Sequence, residues 1–342
     1  MALEASARPR ILILRRDNIG DLVCTTPLID ALRARYPQAW LGALVNSYNA
    51  DVLAGNPALD AVHVYEKLKH RSGSLLSNLF KRMKLASSLR GARLDYVLAP
   101  SAWPQALKIA ARLRAGRVLS SSPLWQDDPR HEVERAFSLG AELGLQGVPG
   151  PMRIFPEAAA VSDVRKRVPA GRRLVAIHIS ARQAIRRWPL QRYAALIREL
   201  GRSATVMLLW SPGAADDPRH PGDDDAARNF PEMENLAKVA TPDLRSLIAA
   251  LSLADRVICP DGGAMHIAAA LGKPVLALWA DSPVERWRPW QVPHRVVQPE
   301  SKNLADLALG PVLDACAGLV QVGSQEDEAK QREKSVGQQP LG

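Results

Sequence analysis

The sequence predicts an α/β protein made of two successive doubly wound, Rossmann-like parallel-sheet domains. Three observations carry that expectation. Short apolar segments of strand length alternate with segments of helical periodicity, the signature of βαβ units. The alternation stops in a stretch rich in proline, glycine and charge, Pro149–Gly171, and then begins again. The chain of 342 residues is long enough for about two domains of roughly 150 residues, each able to bury a core without metal or disulfide.

In the first half, Arg10–Arg16 (RILILRR) reads as a short buried strand, and a loop, Asp17–Gly20, follows it. Asp21–Tyr36 has helical spacing, with Leu22, Thr25 or Thr26, Ile29, Leu32 and Arg33 three and four apart, and Pro37 ends it. Strands are expected at Trp40–Val45, Ala61–Tyr65, Leu94–Leu98 and Arg117–Leu119, with a helix at Gln105–Leu113. In the second half, strands are expected at Arg173–Ile179, Thr205–Trp210, Arg256–Cys259 and Pro274–Trp279, with helices at Leu190–Leu200, Leu244–Ala254 and Met265–Leu271. Domains are thus expected at residues 1–160 and 171–323. The polar tail, residues 324–342, lacks an apolar face and reads as disordered. Two doubly wound domains place their strand C-terminal ends toward a shared central cleft, where ligands bind.

Apolar residues make up 47% of the chain and charged residues 23%, which excludes a collagen-like or wholly disordered protein. No apolar run reaches the roughly 18 residues of a membrane-spanning helix. The N-terminal apolar stretch is four residues followed by two arginines, unlike a signal peptide. Cys24, Cys259 and Cys316 have neither zinc nor CxxC spacing, which suits a reducing cytoplasm. The net charge of +10 is uneven: residues 1–170 hold 24 Lys+Arg against 15 Asp+Glu, the remainder 21 against 20. A basic half beside a neutral one points to an anionic partner.

Four constellations could carry chemistry. In Arg15-Arg16-Asp17-Asn18-Ile19-Gly20-Asp21, Gly20 permits a tight turn and Asp21 falls in a helix's first turn. Asp21 is either a helix cap or a carboxylate aimed at a ligand as general base. In Asp261-Gly262-Gly263-Ala264-Met265-His266, two glycines open the backbone to a phosphate at a helix N-terminus, and His266 can donate to an anion. The other reading is a plain strand-to-helix turn. The segment from His178 through Ser180 to Arg186-Arg187-Trp188-Pro189 reads either as a pyrophosphate clamp or as a solvated basic loop. Lys67–Arg93 holds eight Lys or Arg and no acid, with an apolar stripe through Leu75, Leu76, Leu79, Phe80 and Met83. That pattern suits an acidic membrane surface or a phosphorylated ligand, or else an ordinary surface helix. Asp223-Asp224-Asp225, in a Pro/Gly-rich loop, reads as a solvated turn or N-cap, and Asp127–Glu134 as surface. The histidines do not cluster at ligand spacing, so no metal is expected.

Taken together, three motifs resemble glycosyltransferase family 9, the heptosyltransferases of lipopolysaccharide core synthesis. They are Asp17-Asn18-Ile19-Gly20-Asp21 through Thr25-Thr26-Pro27, Arg186-Arg187-Trp188-Pro189, and Asp261–His266 through Gly272-Lys273-Pro274. Arg286-Trp287-Arg288-Pro289-Trp290 also fits. The resemblance implies the GT-B fold, an acceptor-binding first domain and a nucleotide-sugar-binding second one. It implies an inverting, metal-independent transfer from a nucleotide sugar, typically ADP-heptose, to a lipid-linked saccharide. Neither a cofactor nor nucleic acid is implied, and the place of work is the cytoplasm, peripherally at the inner face of the inner membrane.

By motif, Asp21 is then the base. Ser180, Arg186, Asp261, Gly262, Gly263 and His266 meet the donor, with one of Asp217, Asp224 and Asp225 on the ribose. Arg15, Asn18, Ser101, Lys67, Lys69 and Arg71 face the acceptor. Where many members carry Asp-x-Gln-Gly, this chain reads Ala99-Pro100-Ser101-Ala102-Trp103. Two rivals remain: a sugar-nucleotide epimerase of the same architecture, and a non-catalytic anion- or nucleic-acid-binding module. The basic run lacks the interleaved aromatics expected of single-strand binding.

Overall fold

The first half has five strands, of which the inner three are short apolar runs buried between parallel neighbours: β1 (Arg10–Leu14), β2 (Trp40–Asn46), β3 (Ala61–Tyr65), β4 (Tyr96–Ala99) and β5 (Arg117–Ser120), with β3 and β5 at the edges. They form one sheet in the order β3-β2-β1-β4-β5, with Ile13 of the central β1 opposite Ala43 of β2 and Leu98 of β4. The second half repeats the plan with β6 (Leu174–His178), β7 (Thr205–Trp210), β8 (Leu236–Ala240), β9 (Arg256–Pro260), β10 (Val275–Leu278) and β11 (His294–Val297), ordered β11-β10-β9-β6-β7-β8. All the pairings are parallel. This computed structural model describes residues 8–65, 87, 89, 91–101, 104–121, 128–217 and 221–319. The basic run from Lys67, apart from a few residues at its end, and the polar tail lie outside them.

The central strands are apolar on both faces because both faces are covered. Ile11, Leu12, Ile13 and Leu14 are fully buried, as are Val206, Met207, Leu208 and Leu209. On one face of the second sheet, Val175, Ile177, Val206, Leu208 and Ile258 pack against Trp188, Tyr193 and Leu196. Trp188 stands edge-on to Tyr193, and its indole N–H donates to the Leu307 carbonyl at 2.8 Å. The tryptophan of the Arg186–Pro189 motif is therefore a core residue.

Several elements differ from the sequence reading. The helix expected over Asp21–Tyr36 is two, Ile19–Val23 and Thr26–Arg35. Pro27 has no N–H to donate, and the Thr26 hydroxyl donates to the Val23 carbonyl at 2.8 Å. The Thr25 hydroxyl likewise donates to the Asp21 carbonyl at 2.9 Å. Strands β8 and β11 were not foreseen; they are the two edges of the second sheet, and an edge strand carries a weaker apolar signal than a buried one. The helices Glu132–Ser138 and Ala158–Arg165 were not foreseen either.

The chain forms two compact units. One comprises residues up to Glu157 together with Pro283–Trp290; the other comprises Ala158–Ser282 and the residues from Gln291 on. The return of Pro283–Trp290 to the first unit was invisible in the sequence because its causes are long-range. His131 Nε2 pairs with the Arg288 carbonyl at 2.8 Å, and its ring lies 4.6 Å from that of Trp290. The Trp290 indole donates to the Gly150 carbonyl at 3.0 Å.

Candidate functional site

A doubly wound sheet grows first to one side of its first strand and then to the other. The crevice at that reversal, outside the strand C-termini, is where such folds bind ligands. In the first unit the reversal lies between β1 and β4, and in the second between β6 and β9. Most of the sequence-predicted site residues leave one of these four strands.

In the first unit, β1 delivers Arg15, Asp17 and the helix Ile19–Val23, and β4 delivers Pro100 and Ser101. The Arg15 side chain is 1% exposed. Its NH2 lies 2.7 Å from Asp21 Oδ1 and 2.7 Å from Glu132 Oε1, its Nε 3.2 Å from Asp17 Oδ2, and its NH1 donates to the Pro100 carbonyl. Burial pulls the Arg15 pKa down, but the carboxylates of Asp21, Glu132 and Asp17 outweigh it and hold it up. For Asp17 burial pushes the pKa up, and Arg15 and the Ser101 hydroxyl at 3.1 Å only partly oppose it. Arg15 and Ser101 were expected to face an acceptor. Both are buried and bonded inside this network.

Asp21 is the helix cap that the sequence offered as one of its two readings. Its Oδ2 caps the helix, accepting the Asn18 backbone N–H at 3.1 Å and side-chain amide at 3.0 Å, while its Oδ1 takes Arg15. At 14% exposure its side chain is fixed yet reachable. Asn18 is exposed beside it.

The stretch through Glu134 was expected at the surface, yet Glu132 is 4% and His131 2% exposed. His131 caps the helix Glu132–Ser138: its Nδ1 accepts the Val133 N–H at 3.1 Å, and Glu134 accepts the His131 N–H at 3.0 Å. With Nδ1 accepting, Nε2 is the donor to the Arg288 carbonyl, which makes the ring neutral; burial lowers its pKa accordingly. Sequence reasoning missed Glu132 because nothing local separates a buried acid from a solvated one.

In the second unit, β6 leads to Ser180 and β9 to Asp261 and Gly262. Gly262 caps the helix Gly263–Ala270 with no side-chain bond to its first amides. A Cβ placed on Gly262 would meet no described atom within 4 Å. The helix stops at Gly272, whose φ of +71° suits glycine, as Lys273 and Gly272 donate to the Ala268 and Ala269 carbonyls, both at 3.0 Å. Arg186 stands beside the open N-terminus. Its NH2 donates to Asp281 Oδ1 at 2.9 Å and Ser282 Oγ at 2.7 Å, and its NH1 lies 3.2 Å from Asp261 Oδ2. Burial raises the Asp261 pKa, against the Ser282 hydroxyl and Arg186. His266, expected to donate to an anion, is 3% exposed on a helix that packs into the core.

Ser180 Oγ accepts the Ser211 N–H at 2.9 Å and so ties together the loops after β6 and β7. Asp224 uses both oxygens, on the Trp210 indole at 2.8 Å and the Gly213 N–H at 2.9 Å, and these bonds lower its pKa. Asp225 pairs with Arg228 at 2.5 Å. Asp223, read as part of a solvated turn, is 5% exposed and meets Arg187 at 2.5 Å. Lys67, Lys69 and Arg71 lie outside the described residues.

A family model, "Glycosyltransferase family 9 (heptosyltransferase)", matches residues 108–311. The chain is 26% identical over 291 residues to "Lipopolysaccharide heptosyltransferase 3" of Escherichia coli, covering 79% of this chain and 83% of that protein. The crystal structure of a family 9 glycosyl transferase from Veillonella parvula superposes with a TM-score of 0.78 at 18% identity, over 94% of this chain and 99% of that one. The E. coli heptosyltransferase WaaC with ADP superposes with a TM-score of 0.72 at 16% identity, over 91% and 99%. These likenesses show a fold of the GT-B type, with two Rossmann-like parallel-sheet domains.

Proposed function

The chain belongs to glycosyltransferase family 9 and is a glycosyltransferase; from that premise we propose that it moves a heptose from ADP-heptose to a saccharide of the lipopolysaccharide core, inverting the anomeric centre. One observation carries the reading. The sheet reversal of the first unit presents a fixed, reachable carboxylate, and that of the second presents an uncapped helix N-terminus beside an arginine. The first suits proton removal, the second a diphosphate. The names of the relatives support the sugar, the acceptor class and the nucleotide.

In this mechanism Asp21 takes the proton from an acceptor hydroxyl. The oxygen attacks the anomeric carbon while the bond to the diphosphate breaks on the opposite side, and ADP leaves. Arg186 and the amides at the start of Gly263–Ala270 stabilise the charge that builds on the leaving diphosphate. The reading assigns that stabilisation to protein groups, with no metal or other cofactor. The first domain takes the lipid-linked acceptor, with Asn18 beside the base and Lys67, Lys69 and Arg71 on acceptor or membrane phosphates; the second takes the donor. Asp224 meets the ribose only by giving up Trp210 or Gly213, whereas Asp217 and Asp225 are the other acids of that loop. The proposed place is the cytoplasmic face of the inner membrane; no helix among the described residues is long and apolar enough to cross it.

A thermal-shift panel of ADP-, GDP- and UDP-sugars tests the donor, because a ligand that binds the native state raises its Tm. ADP-heptose is expected to give the largest rise and to label a heptose-deficient core acceptor. A rise with UDP- or GDP-sugars alone overturns the donor. Conversion of the donor without acceptor into an epimer replaces transfer with epimerisation.

A further inference from the structure

We propose that Glu132 is a positioning residue: through the Arg15 guanidinium it fixes the orientation of the base, Asp21. The inference rests on the reading of Asp21 as base and extends it to a residue that no part of that reading uses.

The geometry centres on one nitrogen. Arg15 NH2 lies 2.7 Å from Glu132 Oε1 and 2.7 Å from Asp21 Oδ1. A guanidinium NH2 carries two hydrogens in a rigid plane, so directing one toward Glu132 fixes the direction of the other. Glu132 is itself anchored. Its Oε2 accepts from Arg286 NH2 at 2.9 Å and Nε at 3.1 Å, and Arg135 NH1 lies 3.6 Å from the same oxygen. The carboxylate is buried and arises from the capped first turn of a helix, so it has little freedom to follow Arg15 if Arg15 moves.

Charge tells the same story. The groups that face one another here are the guanidiniums of Arg15, Arg135 and Arg286, the carboxylates of Asp17, Asp21 and Glu132, and the thiol of Cys24. Burial, then Glu132 and Asp21, push that thiol well above its ordinary range, so it stays neutral. Remove the charge of Glu132 and Arg15 is left to Asp17 and Asp21 alone. It then binds Asp21 more tightly and with one anchor fewer to set its direction, and both changes make the carboxylate a poorer acceptor of the acceptor's proton.

The test compares Glu132→Gln with Glu132→Asp, measuring kcat, the donor KM, and the affinity and stoichiometry of ADP by calorimetry. Expressing turnover per ADP site removes any unfolded fraction. Glutamine keeps the shape and loses the charge; aspartate keeps the charge and loses a methylene. Glu132→Gln is expected to lower kcat per site about tenfold to a hundredfold with donor KM unchanged, and Glu132→Asp to retain more turnover than Glu132→Gln. A residue needed only for packing gives the reverse order, and that order overturns the proposal. Wild-type turnover in Glu132→Gln overturns it too, as does a fall in ADP sites that accounts for the whole fall in kcat. Should Glu132→Gln fail to fold, Arg15→Lys, which keeps the charge and loses the fork, is expected to show the same loss per site; wild-type turnover there overturns the proposal. Asp21→Asn is run alongside: if it retains turnover, the base assignment fails whatever Glu132 does, whereas an inactive Asp21→Asn beside a fully active Glu132→Gln removes Glu132 alone.

Discussion

At the ends of β1 and β4, Arg15 is 1% exposed and enclosed by three carboxylates; at the ends of β6 and β9, Arg186 is 22% exposed and sits beside helix amides that no side chain caps. The two sheets share a plan and a ligand-binding crevice position, but the chemistry set on them is opposite. A buried ion network holds a carboxylate still. It is a poor place to bind a mobile anion, because the Arg15 guanidinium is already enclosed by Asp17, Asp21 and Glu132. A half-open arginine and free amides can exchange partners with a phosphate, and they offer no base. The difference teaches that proton removal and leaving-group binding place incompatible demands on one pocket, which two copies of one architecture can meet separately.

The largest effect expected from breaking this comparison is at Asp21. Asp21→Asn keeps the shape and the contact to Arg15 but cannot accept a proton at neutral pH. It should lower kcat by about 10²–10⁴-fold, the usual worth of a general base, while ADP binding by calorimetry stays near wild type. A parallel fall in ADP affinity would show that the two regions are not chemically separate.

The second effect exposes a buried group with no ion network around it. His178, the last residue of β6, is 7% exposed, and its Nδ1 has no hydrogen-bond partner among the described groups. Burial lowers its pKa to about 4, from an ordinary 6.5. Between those values the unfolded chain binds a proton that the folded one refuses, so stability present above pH 6.5 is lost as pH falls toward 4. The loss is about 3 kcal/mol at 1.36 kcal/mol per unit. Urea unfolding of wild type and His178→Leu at pH 7 and pH 4 measures it: the variant should lose about 3 kcal/mol less over that range. Equal losses in the two proteins would exclude His178 as the cause.

Much of this is legible in the sequence. Leu190–Leu200 and Thr205–Trp210 lie where the sequence placed them, because a buried central strand and an amphipathic helix write their period into local order. The loops of both candidate regions were legible too, since glycine, aspartate and arginine after a strand mark its carboxyl end. What stayed hidden depended on partners distant in sequence. Glu132 looks like any acid in a mixed-charge run until Arg15, 117 residues away, and Arg286, 154 away, close on it. Asp223 looks solvated until Arg187 reaches it. Trp188 looks like part of a basic clamp until its indole is seen to bond Leu307. Local periodicity reports which face is buried; it does not report which charge is.

The smallest effect is expected at Arg186, and its size follows from what the arginine already holds. A charge-assisted bond to a diphosphate contributes about 1.5–3 kcal/mol. Arg186 must first loosen its bonds to Asp281 and Ser282, and its neighbour Asp261 keeps a buried carboxylate close by. The net contribution is therefore expected near the lower end, and Arg186→Ala should weaken ADP binding about tenfold, equivalent to roughly 1.4 kcal/mol. Arg186→Lys keeps the charge but not the fork that spans Asp281 and Ser282, so its affinity should fall between the two. Arg187→Ala is the control. Arg187 points to Asp223 and the Pro221 carbonyl rather than to the helix N-terminus, so its loss should lower stability and leave ADP affinity near wild type. If Arg186→Ala binds ADP as wild type does while Arg187→Ala does not, the anion cradle belongs to the neighbouring arginine, and the contrast between an enclosed and an exchangeable cation has to be redrawn around Arg187 and Asp223.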